Sequence, residues 1–198
     1  MKNYKVNEIF YSLQGEGVWS GRAAVFIRFS LCNLRCPFCD TDFSKYEEMT
    51  ASDIVERVKN VGKECRFIVL TGGEPTLQVD AELINMLHEK GYYLSMETNG
   101  THEIPRGIDW VTCSPKTAYI EKDKARVHIK EASEIKVVFD GKHEIDTYGI
   151  NSGNLFLQPC DTGDKEQNKE ILNHCIAYIL EHPEWRLSLQ TQKIVGVR

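Results

Sequence analysis

No apolar run in this 198-residue chain approaches the roughly 18 residues a membrane span needs. The basic start, Met1-Lys-Asn-Tyr-Lys-Val-Asn-Glu, is followed by no apolar h-region, so no secretory signal is expected either. Positive charge is not in excess: 24 Lys and Arg against 29 Asp and Glu leave a net charge of −5. The basic residues are also scattered, and Lys116, Lys122, Lys124, Arg126 and Lys130 alternate with acids as on a solvated surface. A duplex-binding face would concentrate them, so nucleic acid is not an expected partner. Internal repeats, low-complexity tracts and linkers are missing too. With 41% apolar and 27% charged residues, the expectation is one cytoplasmic domain spanning residues 1–198.

An even, evenly spaced cysteine set is a further absence. The seven cysteines are odd in number and no signal precedes them, which argues against a disulfide framework. Cys65, Cys113, Cys160 and Cys175 stand in apolar or turn settings and read as small buried thiols. Cys32, Cys36 and Cys39 crowd into eight residues and need another account.

Short runs rich in β-branched and aromatic residues occur at 24–29, 66–70, 93–96, 110–113, 134–139, 154–157 and 186–189. Their near-continuous apolarity suits parallel strands covered on both faces. Three helical patterns lie between them. Thr50 caps the first, with Asp53 three residues on, Ile54, Val55, Val58 and Val61 in phase, and Gly62 as its stop. The second runs over 80–90 with Leu83, Ile84, Met86 and Leu87 apolar, and the third over about 165–181, ending before Pro183. Three helices are too few for an eight-fold barrel, so the expected fold is α/β, a partial (open) β/α barrel of about six parallel strands with few helices. The charged, unpatterned stretch 115–132 reads as a surface excursion.

The cysteine cluster, Leu31-Cys-Asn-Leu-Arg-Cys-Pro-Phe-Cys-Asp40, directly follows the run 24–29, where βα architectures carry their active sites. Three soft thiolates suit iron–sulfur or zinc. A structural zinc site needs a fourth ligand at similar spacing, and the six histidines form no such pair. Ferredoxin clusters take four cysteines; with three, one iron stays open to an outside ligand. Thr71-Gly-Gly-Glu-Pro75, Glu97-Thr-Asn-Gly-Thr101, Ser114-Pro-Lys116 and Gln158-Pro-Cys-Asp161 each end another strand-like run. Two glycines in the first admit close backbone approach, and Glu74 can accept from an ammonium group. A Walker ending is absent there. Such convergence points to a ligand site on one rim.

Cys-x3-Cys-x2-Cys with Phe38 before the last cysteine, together with Thr71–Pro75, resembles the radical S-adenosylmethionine (SAM) superfamily. Asn7-Glu-Ile-Phe-Tyr-Ser-Leu-Gln-Gly-Glu-Gly17, Cys39-Asp-Thr41, Ser114-Pro-Lys116, Gln158-Pro159 and Leu187-Ser-Leu-Gln-Thr-Gln-Lys193 are similar to the 7-carboxy-7-deazaguanine synthase family, in order along nearly the whole chain. The resemblance implies a 4Fe–4S cluster held by Cys32, Cys36 and Cys39, with SAM chelating the open iron and cleaved by one electron to a 5′-deoxyadenosyl radical. It implies ring contraction of 6-carboxy-5,6,7,8-tetrahydropterin to 7-carboxy-7-deazaguanine with loss of ammonia, a lyase step toward queuosine, with Mg²⁺ required. Carried onto this chain, Leu13, Gln14, Gly15, Arg28, Thr71 and the carboxylate of Arg198 would contact substrate. Phe38, Cys39, Asp40, Gly73, Glu74, Ser114, Pro115, Lys116, Gln158, Pro159, Cys160 and Asp161 would line the SAM site, and Thr41 would ligate Mg²⁺. Arg28 suits a carboxylate because a guanidinium can grip it with two hydrogen bonds. Family members often read Gln-Thr-His-Lys near the end, where this chain has Gln192.

The same resemblance implies a homodimer and an electron donor such as a flavodoxin or ferredoxin. An activase that makes a glycyl radical on a partner protein is the nearest rival, and it would need a docking surface rather than a closed pocket. Outside this chemistry stand a four-cysteine electron carrier and a zinc-stabilised module, which would show no dependence on SAM.

Overall fold

The structure, a computed structural model, describes residues 2–42 and 44–197. Among these residues nine strands form one sheet in the order β3-β1-β2-β4-β5-β6-β7-β8-β9. From β2 (Ala23–Phe29) through β4 (Phe67–Gly72), β5 (Tyr93–Thr98), β6 (Trp110–Cys113), β7 (Glu134–Phe139), β8 (Leu155–Pro159) and β9 (Trp185–Leu187), every neighbouring pair is parallel. The sheet has two ends and does not close, which is the expected open β/α barrel. Seven parallel strands exceed the expected six by one. These are the seven apolar runs of the sequence.

Two further strands escaped the sequence reading. β1 (Tyr4–Leu13) pairs antiparallel with β2 and with β3 (Glu47–Met49). Polar residues alternate along β1, and its register shifts between Val6 and Glu8, so no clean apolar run marks it.

The helices follow their caps. In α1 (Ala51–Gly62) the Thr50 hydroxyl accepts from Asp53 N at 3.2 Å while the Asp53 carboxylate accepts from Thr50 N at 2.9 Å, a complete capping box. Gly62 is the last helical residue rather than a left-handed stop; Lys63 takes the positive φ of 50°. A Cβ at Gly62 would collide with Val25 Cγ2, so close packing of helix on β2 demands this glycine. Asp80 caps α2 (Ala81–Glu89), and Gly91, at φ 75°, follows it. α3 (Lys165–Glu181) ends before Pro183, as read. A short α4 (Thr191–Val195) was not expected.

Strand alternation then sorts the side chains. Val25, Ile27, Ile68, Leu70, Leu94 and Met96 pack in one buried cluster with Ile54 and Val58 of α1 and Leu83 and Leu87 of α2. Ile135, Val137 and Leu157 pack in a second cluster with Ile171 and Cys175 of α3. The alternate residues face away from these helices. Toward the strand starts they are apolar, with Phe10, Phe26, Phe67 and Val69 in a third cluster. Toward the C-terminal ends they turn polar: Arg28, Thr71, Glu97, Thr112, Lys136 and Gln158. Register aligns Arg28 with Thr71, Glu97 with Thr112 and Thr112 with Glu134, so these positions form a continuous inner belt.

The stretch 115–132 is not a free surface excursion. Ala125 and Ile129 are buried, and the Tyr119 ring meets Phe38 edge-on with centroids 4.8 Å apart. Its charged residues conceal a sparse apolar contact set that no periodicity announces. Among the described residues no helix is long and apolar enough to cross a membrane.

Candidate active site

A cavity of about 330 Å³ opens at the C-terminal ends of the parallel strands. Cys32, Cys36, Phe38, Cys39, Asp40 and Thr41 reach it from the loop after β2, and Leu13, Gln14 and Gly15 from the end of β1. Arg28, Thr71, Gly73, Ser114, Lys116 and Gln158 through Asp161 complete the sequence-expected lining. Three expected residues are not among those lining it. Pro115 is buried beside it, Glu74 lies behind the rim, and Arg198 falls outside the described residues.

The cysteine loop is held by backbone rather than by propensity. Leu31 adopts φ 80°, an unfavourable conformation for a leucine that turns the chain off β2. Gly73 N donates to Phe29 O at 2.9 Å and Glu74 N to Leu31 O at 2.8 Å, lacing the end of β4 beneath the loop. A Cβ at Gly72 or Gly73 would strike Phe29 or Leu31 backbone. The glycine pair thus lets two protein segments touch, and both glycines also line the cavity. Asn33 donates to Thr101 Oγ1 at 2.9 Å and accepts from Asn99 Nδ2 at 3.1 Å, which ties the same loop to the end of β5.

Glu74, expected at the SAM site, does not line the cavity. It is fully buried, and its carboxylate takes Thr76 N (3.1 Å), Thr76 Oγ1 (2.7 Å), Thr98 Oγ1 (2.7 Å) and Asn99 N (2.7 Å). Three of these donors converge on Oε1 and one meets Oε2, so the carboxylate is largely engaged by the protein itself. Glu74 pins β4 to β5 beneath the cysteine loop.

Glu97, which also lines the cavity, is the opposite case: Gln14 Nε2 (3.0 Å) and Thr71 Oγ1 (2.9 Å) fill two positions and leave two. Beside it stands Lys136 on β7, only 6% exposed, with its ammonium against Glu16 Oε2 and 3.9 Å from Glu97 Oε1. Burial opposes the Lys136 charge, but Glu16 and Glu97 outweigh it and push its pKa up. Burial likewise opposes ionisation of Glu16, yet Lys136 and donors from Gln190 (3.0 Å) and Gln192 (3.4 Å) hold its carboxyl below the usual range. The Gln192 Oε1 atom is itself buried with no donor among the described residues. Glu134, beneath this group, is raised by burial while accepting from Val18 N at 2.8 Å and Thr112 Oγ1 at 2.9 Å.

At the mouth, Arg28 Nε donates to Glu8 Oε1 at 2.9 Å and Nη1 reaches Thr41 Oγ1 at 3.4 Å, aligning the guanidinium with the expected cation ligand. Lys116 turns back to Ser114, donating to its O and Oγ at 2.6 Å each; burial pulls its pKa down. Lys193 of α4 spans Asp161 at 2.9 Å and Asp40 at 3.4 Å, joining two loops that follow different strands.

Glu16, Glu97, Lys136, Gln190 and Lys193 line the cavity without having been singled out as site residues. Glu16 and Glu97 stand inside motifs already noticed, so their signal was present. Lys136 sits within an apolar run, Ile135-Lys-Val-Val-Phe139, and that misplaced charge was the available clue.

The family model of the radical SAM superfamily matches residues 26–157. The chain is 45% identical to the 7-carboxy-7-deazaguanine synthase of Bacteroides thetaiotaomicron, covering 98% of both chains. It is 39% identical to the corresponding synthase of Caulobacter vibrioides over 98% of this chain and 99% of that one. The chain belongs to the 7-carboxy-7-deazaguanine synthase family of radical SAM proteins. A crystal structure of QueE from Escherichia coli matches with a TM-score of 0.66 at 26% identity, covering 94% of this chain and 93% of that one.

Membership in this synthase family implies a 4Fe–4S cluster and SAM, and the donor set fits both. Among the described residues, no three His, Cys, Asp or Glu side chains converge on a single ion. Cys32, Cys36 and Cys39 instead share the larger cavity, and the charge of the neighbouring thiols reaches Cys32 and Cys36. That spread suits a cluster, in which each thiolate binds a different iron. Burial first raises the pKa of both Cys32 and Cys36, followed for Cys32 by the Glu74 carboxylate and for Cys36 by the neighbouring thiols, so bound iron is needed to hold them as thiolates.

Proposed function

We propose that this protein converts 6-carboxy-5,6,7,8-tetrahydropterin to 7-carboxy-7-deazaguanine with release of ammonia, a carbon–nitrogen lyase step toward queuosine and related 7-deazapurines. The observation that carries this reading is one cavity in which three cysteines from a single loop stand beside Arg28 and a ring of inward polar side chains. We read residues 1–198 as one cytoplasmic domain that acts as a homodimer and receives electrons from a flavodoxin or ferredoxin.

Cys32, Cys36 and Cys39 hold the cluster, and Gly73, Phe38, Asp40, Ser114, Lys116 and the segment Gln158 through Asp161 surround SAM. When bound, cluster and SAM supply the single-electron chemistry that takes a hydrogen atom from a C–H bond. The chain's own residues decide which bond that is. Arg28, steadied by Glu8 at 2.9 Å, binds the substrate carboxylate at the mouth. Thr41, 3.4 Å from Arg28, adds a hard oxygen for Mg²⁺ beside that carboxylate. Leu13, Gln14, Gly15 and Thr71 hold the ring, with Gln14 and Thr71 themselves fixed by Glu97. Phe10 and Phe26, stacked at 4.9 Å, close the apolar end and exclude water from the reacting face.

The test is anaerobic purification, reconstitution with iron and sulfide, and incubation with reductant, SAM, Mg²⁺ and the tetrahydropterin. Mass spectrometry should find 7-carboxy-7-deazaguanine over many turnovers with little net loss of SAM. Cluster-dependent cleavage of SAM without any deazaguanine would reject the substrate and keep the radical chemistry.

A further inference from the structure

The inner belt contains a charge that neither SAM nor the substrate carboxylate accounts for. Lys136 comes from the middle of the parallel sheet, one of the costliest places for an ammonium group. Its polar neighbours are Glu16 from the loop after β1, Glu97 from β5 and Glu134 two residues back on β7, with Gln14, Gln190 and Gln192 around the carboxylates. Glu16 and Glu97 both line the cavity. Two carboxylates so placed repel each other unless a cation stands between them.

Their remaining acceptor positions are countable. Glu97 has two filled by Gln14 and Thr71 and two left. Glu16 takes Lys136 on one oxygen and the two glutamines on the other, which leaves one position, on the oxygen that Lys136 holds. Acceptors presented in pairs on a cavity wall match a ligand edge made of adjacent N–H groups, such as the amino and ring N–H of a 2-aminopyrimidinone. Arg28 and Thr41 serve the mouth, so this end is free for the ring's far edge.

We propose that Lys136 is a positioning residue for substrate, holding Glu16 and Glu97 as a pair of acceptors for the N–H edge of the bound heterocycle. This deepens the pterin reading above and rests on it. Lys136 itself touches no substrate atom; it sets where the two carboxylates point.

The reconstituted enzyme tests this with Lys136→Met, Lys136→Arg and the double variant Lys136→Met/Glu16→Gln. Loss of one charge-assisted contact to substrate predicts a KM for the tetrahydropterin raised roughly tenfold to a hundredfold in the Met variant. The fall in kcat should be smaller, and Lys136→Arg should recover part of the KM. The double variant removes the stranded Glu16 charge, so its thermal midpoint should return toward wild type while its KM stays high. A Met or double variant with KM within about threefold of wild type would overturn the proposal and leave Lys136 a purely structural counter-ion. Because the double variant carries no unpaired Glu16, it still reads KM if Lys136→Met alone fails to fold. Wild-type enzyme that does not consume the tetrahydropterin would sink the substrate reading itself, and this proposal with it. Wild-type turnover with unchanged variant KM sinks only the role of Lys136.

Discussion

Glu74→Gln separates two parts that a carboxylate at this rim could play, anchoring the protein or gripping a ligand. In the native chain Oε1 takes three donors, from Thr76 N, Thr76 Oγ1 and Thr98 Oγ1, and Oε2 takes Asn99 N at 2.7 Å. An amide placed there keeps its oxygen where three donors converge, which turns its NH2 group against the Asn99 N–H. One hydrogen bond to a charged acceptor is lost and a donor faces a donor, at a cost of about 1.5–3 kcal/mol. Glu74→Ala strands all four donors in a fully buried site and should cost about 3–5 kcal/mol. The assay is urea unfolding of the iron-free apoprotein, where no ligand contributes, with an unchanged m-value expected. For a chain of this length the Gln variant should melt roughly 3–12 °C lower. Iron loading should also fall, since Asn99 Nδ2 bonds Asn33 in the cysteine loop. Apoprotein stability within about 0.5 kcal/mol of wild type in both variants, together with lost SAM affinity, would refute the reasoning and place a ligand on that carboxylate.

Gly62→Ala should destabilise by about 1–3 kcal/mol even though alanine is the better helix former, because the new methyl meets Val25 Cγ2; a stabilised variant in urea would show that α1 can shift away from β2. The Asp161 carboxyl is held at about 2, first by the Lys193 ammonium and then by Gly163 N, against 3.8 without them. Its folded pKa is depressed, so its contribution is present above about pH 3.8 and fades as pH falls toward 2. Being largely exposed, the pair is worth under about 1 kcal/mol; wild type and Asp161→Asn should differ in midpoint at pH 6 and converge by about pH 2, and a constant gap would refute the pairing. Cys36→Ala should lose the visible absorbance of the cluster and all SAM cleavage, whereas Arg28→Ala should keep the absorbance and raise the KM for the pterin roughly tenfold or more. Intact SAM cleavage by the cysteine variant would remove Cys36 from the ligand set.

The seven parallel strands were legible because each is rich in apolar residues, and β2, β4, β5 and β7 are buried along nearly their whole length. Helix starts were legible too, since Thr50, Asp80 and Asp164 act within three residues of themselves. β1 was not: it pairs antiparallel with β2, shifts register near Val6, and mixes polar with apolar residues, so its existence is decided by partners rather than by period. The five-residue α4 is decided the same way. Thr191 N and Oγ1 both donate to Gly15 O, and a Cβ at Gly15 would overlap Gln192, so the helix exists where the end of β1 offers it a seat.

For the candidate site the division runs between local and distant contacts. The cysteine spacing and the glycine-rich strand ends are local patterns, and by themselves they determined which loops carry chemistry. Which member of each motif faces the cavity was left to the tertiary structure. Glu74 and Glu97 both end apolar strands, yet one takes two donors from Thr76 and two from the end of β5 while the other keeps half its acceptor positions open. Lys136 shows the same limit from the other side. Its sequence neighbours are apolar, and only the tertiary fold, which brings Glu97 of β5 and Glu16 of the loop after β1 to its ammonium, turns a misplaced charge into a satisfied one. Short-range propensity and spacing are written in the chain, whereas the full count of donors around a buried carboxylate also needs segments more than twenty residues apart to meet.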